Sequence, residues 1–220
     1  TPFIDEDKKY SDAGYVPDWQ FMENYIKSLH YKPLTTEKKK GHSNELRVEK
    51  WKWFSLKEIS NVYTGDDLIL SMVDDGEIPV ASHKVENNGV GAMVDKIDNR
   101  QLFDCEKTIA LADRGCFHAS VQTEDFYIGT RVKALEMKCC VSKGVLIFIA
   151  TIVNQETFKY SYGRNCTAGV ENVRIKLPVK HNDDGIIFID DEHTYSDEGY
   201  VPDWQFMEDY IKSLPYGDRL

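Results

Sequence analysis

No apolar run in this 220-residue sequence approaches the roughly 20 residues that a membrane-spanning helix needs; the longest lies around Val145 to Val153. The five cysteines (Cys105, Cys116, Cys139, Cys140 and Cys166) are odd in number and contain no C-x-x-C pair. That pattern argues against a disulfide framework or a zinc site, and leads us to expect a protein of the reducing cytoplasm. Catalytic signatures are also missing. There is no phosphate-cradling G-x-x-x-x-G-K, no G-x-G-x-x-G, no H-E-x-x-H and no G-x-S-x-G, and the Pro-Pro-aromatic motif of methyl transfer is absent. The paired acids Asp66–Asp67 and Asp74–Asp75 could hold Mg²⁺ for a nuclease, but they fall in turn-like stretches, where such pairs are ordinarily solvated. Cys116 and His118 would share one face of a strand, yet no third residue completes a nucleophilic set. We expect no enzyme.

What is present begins with a duplication. Tyr10 to Tyr31 matches Tyr195 to Tyr216 at 19 of 22 positions, the differences being Ala13/Glu198, Asn24/Asp209 and His30/Pro215. The match extends upstream, where Phe3-Ile4-Asp5 lies over Phe188-Ile189-Asp190. Each copy reads as a short amphipathic helix. Asp203 is suited to cap the first turn, and Pro215 stops the second copy. Trp204, Met207 and Ile211 fall on one face, as do Trp19, Met22 and Ile26 in the first copy. A helix of about 12 residues is marginal alone, so these six residues are expected to pair the two copies with each other or with a second molecule.

The net charge of −10 is unevenly spread. Residues 1–41 hold 7 basic and 7 acidic groups, residues 42–181 hold 18 and 19, and residues 182–220 hold 2 and 11. The acidity therefore belongs to the C-terminal repeat. The balanced middle remains free to present a basic face to nucleic acid.

Between the repeats the chain turns mixed. The polar stretch Thr35 to Asn44, with its KKK run, reads as a linker. Ser55 to Val62 reads as a short helix capped by Ser55. Strands are expected at Glu77 to Ser82, Val90 to Val94, Thr108 to Ala112, Ala119 to Val121, Gly129 to Leu135 and Val173 to Pro178. Val141 to Tyr160 suits a buried helix. Long polar side chains gather in the intervening loops: His83, Lys84, Asn87 and Asn88 in one, Arg114 in a second, and Tyr160, Tyr162, Arg164 and Asn165 in a third. Arginine fits the guanine edge and asparagine the adenine edge, while lysine and tyrosine suit phosphates. These nine are the candidate DNA-binding residues, although any one of them is also explained as a solvated loop side chain.

In order and spacing, WKWFSLKEI (from Trp51), IPVASHKVENNGVGAMV (from Ile78), TIALADRGC (from Thr108) and VLIFIATIVNQETFKYSYGRNCTAGVENVRIKLP (from Val145) resemble a target-recognition domain of restriction–modification systems. The likeness is to the specificity subunits of type I systems and to their type IIB/IIG-like relatives. PDWQFMEDYIKSLPYGDRL, from Pro202, is similar to the helical segment that follows each recognition domain there, with Gly185 to Tyr200 as an insertion.

The resemblance implies an α+β fold, a strand-rich recognition domain with short flanking helices from repeated conserved regions. It implies three parts: residues 1–41 (first helical repeat and linker), 42–182 (target-recognition domain) and 183–220 (second helical repeat). It further implies a non-catalytic subunit that binds double-stranded DNA, reads one half of a split target, and docks a methyltransferase or endonuclease subunit. No cofactor is expected in this chain; S-adenosylmethionine and Mg²⁺ would sit on the partners. The duplicated helices would act as spacer and docking module, and could also join two copies as a homodimer. Only one recognition domain lies between the two copies, so a piece of a longer protein is expected. The rival reading is a protein–protein interaction module without DNA binding.

Overall fold

Residues 7, 9–28, 46–160, 164–166, 169–215 and 217 are described by the computed structural model. They belong to two units, Thr1–Glu37 and Lys38–Leu220. The linker Thr35 to Asn44 lies outside the described residues.

The first unit carries α1 (Trp19–Ser28). Asp18 Oδ1 accepts the Phe21 N–H at 2.8 Å, which satisfies one of the free donors of the first turn. Ser11 Oγ accepts the Tyr15 N–H at 2.8 Å, and Tyr10 meets Trp19 edge-on at 6.1 Å. No residue of α1 is buried.

In chain order the second unit contains β1 (Lys52–Ser55), α2 (Leu56–Ile59), β2 (Ser60–Thr64), β3 (Asp75–Ala81), β4 (Val90–Val94), β5 (Thr108–Ala112), β6 (His118–Val121), β7 (Tyr127–Ile128), β8 (Val132–Met137), α3 (Lys143–Asn154), β9 (Arg174–Leu177) and α4 (Trp204–Ser213). The fold is α+β. An antiparallel sheet runs β2-β8-β5-β6, a smaller one runs β4-β3-β7 with β3 and β7 parallel, and β1 and β9 form a two-stranded ribbon.

Every residue of β5 is buried, because the main sheet is covered on both faces. On one face Ile109, Leu111 and Leu135 join Leu146, Ile149 and Val153 of α3 in the largest core. On the other, the small Ala110 and Ala134 leave room for Phe103 and Phe126. Ser142 caps α3 by accepting the Val145 N–H at 3.4 Å. At its far end α3 tightens into a 3-10 turn, Gln155–Lys159.

Two expectations are corrected here. The helix expected over Ser55 to Val62 lasts only from Leu56 to Ile59, although the Glu58 carboxylate does accept the Ser55 N–H at 2.5 Å, one half of a capping box. Ser60–Thr64 turns extended because it pairs with β8, and ladder bonds to an otherwise open edge outweigh a weak helical preference. The strand expected from Gly129 begins only at Val132. Arg131 has φ +67°, which no strand accommodates.

The second repeat shows what a nearly identical sequence does when a surface is offered. Its local geometry duplicates the first: Ser196 Oγ accepts the Tyr200 N–H at 2.7 Å, Asp203 Oδ1 accepts the Phe206 N–H at 2.9 Å, and Tyr195 meets Trp204 edge-on at 5.7 Å. Bridges His181↔Ile187, Ile189↔Tyr200 and Val179↔Pro202 lead the chain back onto the end of β9. There α4 packs on α3. Met207 is 0% exposed and Ile211 7%, both inside the main core. The assignment of these two residues to helix pairing is therefore corrected: α3 takes them up, leaving them no free face.

Candidate functional site

One end of the main sheet collects the loops that carry polar side chains. The antiparallel register places Thr64 opposite Lys133, Ala112 opposite Val132, and Ala112 opposite His118. The turns after β2 and β5 and the loop before β8 must therefore emerge side by side. Hydrogen bonds tie them together. Asp113 N–H donates to the Arg131 carbonyl at 3.1 Å, and Cys166 N–H donates to the Asp113 carbonyl at 3.0 Å. Gly115 N–H donates to Asn165 Oδ1 at 3.2 Å. The second and third polar clusters, distant in sequence, are thus one surface.

The first cluster joins from the side. Because β3 and β7 run parallel, the segment after Ala81 ends beside Gly129, whose N–H donates to the Ala81 carbonyl at 2.8 Å. A cleft of about 140 Å³ is lined by His83, Gly129 and Thr130 among others. The 3-10 turn Glu86–Gly89 then follows the edge strand β6, where Asn88 Nδ2 donates to the Val121 carbonyl at 2.8 Å and Gln122 Nε2 returns a bond to the Asn88 carbonyl at 3.0 Å. Asn87 and Asn88 hold φ of +50° and +52°, a conformation asparagine tolerates better than most residues.

The nine candidates separate by what their side chains already do. His83, Lys84, Arg114 and Arg164 are exposed, with no hydrogen bond or ion pair among the described residues. Asn87 is exposed and makes only a 3.5 Å contact to the Val90 carbonyl. Asn88, Asn165 and Tyr160 already make contacts that hold the fold. Asn88 and Asn165 spend amide groups on the loop bonds above. Tyr160 stacks on Phe117 at 4.5 Å and is half-buried; desolvation, then its hydrogen bond with Cys166, pushes its phenol up to about 12. Tyr162 lies outside the described residues. Trp19, Met22 and Ile26 of α1 are exposed, and Trp204 is half-buried.

Beneath this end lies a pair that sequence reasoning missed. Lys133 Nζ approaches Asp113 Oδ2 at 3.4 Å, with side-chain exposures of 8% and 0%, and also donates to Thr64 Oγ1 at 3.0 Å. Arg131 was missed too, hidden by reading Gly129 to Leu135 as one strand. Its positive φ costs about 1–2 kcal/mol for a residue with a side chain. The loop around it is tightly held: a Cβ on Gly65 would sit 2.1 Å from the Gly129 carbonyl oxygen, and Thr130 Oγ1 donates to Asp67 Oδ1 at 2.9 Å.

Other chemistry is poorly supplied. Burial pushes the Cys116 thiol up and the His118 imidazole down, opposite to a thiolate–imidazolium pair. Among the described residues, Asp104, Cys105 and Asp125 bring ligand atoms close enough for a metal. Their carboxylates are already engaged, however: Asp125 Oδ1 accepts the Cys105 N–H at 3.0 Å and Asp104 Oδ1 accepts the Glu106 N–H at 2.8 Å, while desolvation first, then Asp125, raises the Cys105 pKa. Asp66 and Asp67 offer backbone carbonyls to Arg100 at 2.9 and 3.4 Å. No helix among the described residues is long and apolar enough to cross a membrane.

Comparison with known proteins matches this architecture. The chain is 27% identical over 215 residues to the type II restriction enzyme specificity subunit S.BcgI of Heyndrickxia coagulans, covering 91% of this chain and 55% of that protein. Its fold is similar to the S subunit of a type I restriction–modification system from M. genitalium (TM-score 0.50, 14% identity, 80% of this chain and 41% of that one). It also matches the HsdS subunit of Thermoanaerobacter tengcongensis (TM-score 0.48, 14% identity, 77% of this chain and 37% of that one). The chain thus spans little more than half the length of the curated relative. Residues 48–189 match the model of the type I restriction modification DNA specificity domain, and the chain belongs to that family.

Proposed function

We propose that this chain reads duplex DNA sequence-specifically, as one recognition half of a restriction–modification specificity subunit. A single observation carries the reading: loops far apart in sequence bring Arg114 and Arg164 to one end of the main sheet, with His83 in the cleft beside it and Lys84 exposed on the same loop as His83, and none of these side chains has a partner among the described residues. Exposed cations on fixed loops can neutralise phosphates and reach base edges in a groove, with no catalytic group required. The partners would be methyltransferase and endonuclease subunits that carry S-adenosylmethionine and Mg²⁺. The helical repeats would dock them and set the distance to a second recognition half, or join two copies of this chain.

The test is anisotropy titration of the chain with labelled duplex DNA across a series of salt concentrations. Binding should weaken steeply as salt rises, and Lys84→Ala should lower the slope by about one, since a phosphate contact releases about one counterion. A second reading, a protein-docking module, is favoured by the bare apolar face of α1, where Trp19 is 59% and Ile26 61% exposed. Binding that is absent or indifferent to salt would select that reading.

A further inference from the structure

We propose that Arg131 is a base-reading residue set for a guanine edge, and that Arg114, Arg131 and Arg164 together form the reading centre of this domain. The proposal rests on the DNA-reading role above and names the residue on which its specificity turns. Three of the chain's seven arginines meet at one backbone junction. The Arg131 carbonyl accepts the Asp113 N–H, the Asp113 carbonyl accepts the Cys166 N–H, and each arginine lies within two residues of an atom in that chain of bonds.

The three differ in how their backbones are held. Arg114 precedes Gly115, whose φ is +87° and around which a Cβ would meet nothing within 4 Å, so that turn is open to its surroundings and is held by the Gly115 bond to Asn165. Arg131 sits instead in a loop pinned on three sides, by Gly65 against Gly129, by Thr130 on Asp67, and by the Gly129 bond to Ala81. It adopts φ +67°, where glycine or asparagine would be at ease and arginine is not.

That strain has no structural return through the side chain. Arg100 donates to the carbonyls of Asp66, Asp67 and Ile128, and Arg174 lies over the Trp53 ring, so both of those guanidinium groups hold the fold. The Arg131 side chain is exposed and has no hydrogen bond, ion pair or ring contact among the described residues. An over-determined, strained backbone bearing an idle guanidinium is a device for aiming that group outward. Its planar fork of donors matches O6 and N7 of guanine, and a fixed backbone reduces the ordering cost of the contact.

The experiment selects duplexes from a randomised pool with the wild-type chain, Arg131→Gly, Arg131→Lys and Lys84→Ala, and records each variant's melting temperature. Arg131→Gly should melt no lower than wild type, because glycine relieves the strain and keeps the carbonyl that Asp113 uses. It should nevertheless lose a guanine preference at one position, about tenfold. Arg131→Lys should retain the salt dependence but not the preference, and Lys84→Ala should keep the motif while binding more weakly throughout. If Arg131→Gly melts well below wild type, the residue is structural; if it selects the wild-type motif unchanged, it does not read bases. Either result overturns the inference and leaves DNA reading intact. A wild-type chain that enriches no duplex removes both.

Discussion

Lys133 Nζ stands 3.4 Å from Asp113 Oδ2, both side chains almost wholly buried beneath the turn that carries Arg114. Two charges taken out of water rarely gain net stability from each other, but leaving either one alone is costly. Among the described residues the Asp113 carboxylate makes no hydrogen bond, so Lys133 is its main compensation. Lys133→Met should therefore lose about 3–5 kcal/mol, and adding Asp113→Leu should restore most of it. Urea denaturation of the single and double variants checks this; equal loss in both would show that the pair is not coupled.

The two repeats offer one substitution in two settings. Ile211 is 7% exposed against α3, while its counterpart Ile26 is exposed in α1. Ile211→Asp should lower the stability of the Lys38–Leu220 unit by several kcal/mol, on the order of 3–5, because it buries an unpaired carboxylate in a packed core. Ile26→Asp should leave the melting of that unit within about 0.5 kcal/mol of wild type. Calorimetry of the two variants side by side reads the difference.

His118 sets an acid limit. Desolvation lowers its folded pKa below the ordinary 6.5, so the unfolded chain takes up the proton first. The stability tied to its neutral form is complete above pH 6.5, drains away as pH falls below that value, and stops changing once pH passes the folded pKa. His118→Gln should flatten the pH dependence of the denaturation midpoint in this window. A slope that persists in the variant would assign the loss to other groups.

Tyr160 sets an alkaline limit. Its phenol is pushed up from 10.0 to about 12, chiefly by desolvation. The unfolded chain therefore ionises first, and stability is lost as pH rises from 10 towards 12. Tyr160→Phe keeps the stack on Phe117 and should remove this contribution. Titrating the denaturation midpoint of both chains against pH measures it.

Sequence alone determined the elements whose cause is local. The repeat helices are legible because Asp18 and Asp203 cap them and an apolar stripe recurs at helical spacing, and both copies fold alike whatever surrounds them. The buried helix after Ser142 and most of the strands are legible for similar reasons, and the quoted motifs carried the family. Only the tertiary structure decided that Ser60–Thr64 is a strand, since its preference is settled by the open edge of β8. It decided that Met207 and Ile211 are core while Met22 and Ile26 are bare, because burial belongs to the surface a helix meets and not to its sequence. It also divided the polar loop residues into those that hold and those that remain free. Asn88 and Asn165 find their partners 33 and 50 residues away, and Arg131 is brought beside Arg114 by strand pairing; no local pattern encodes bonds of that range.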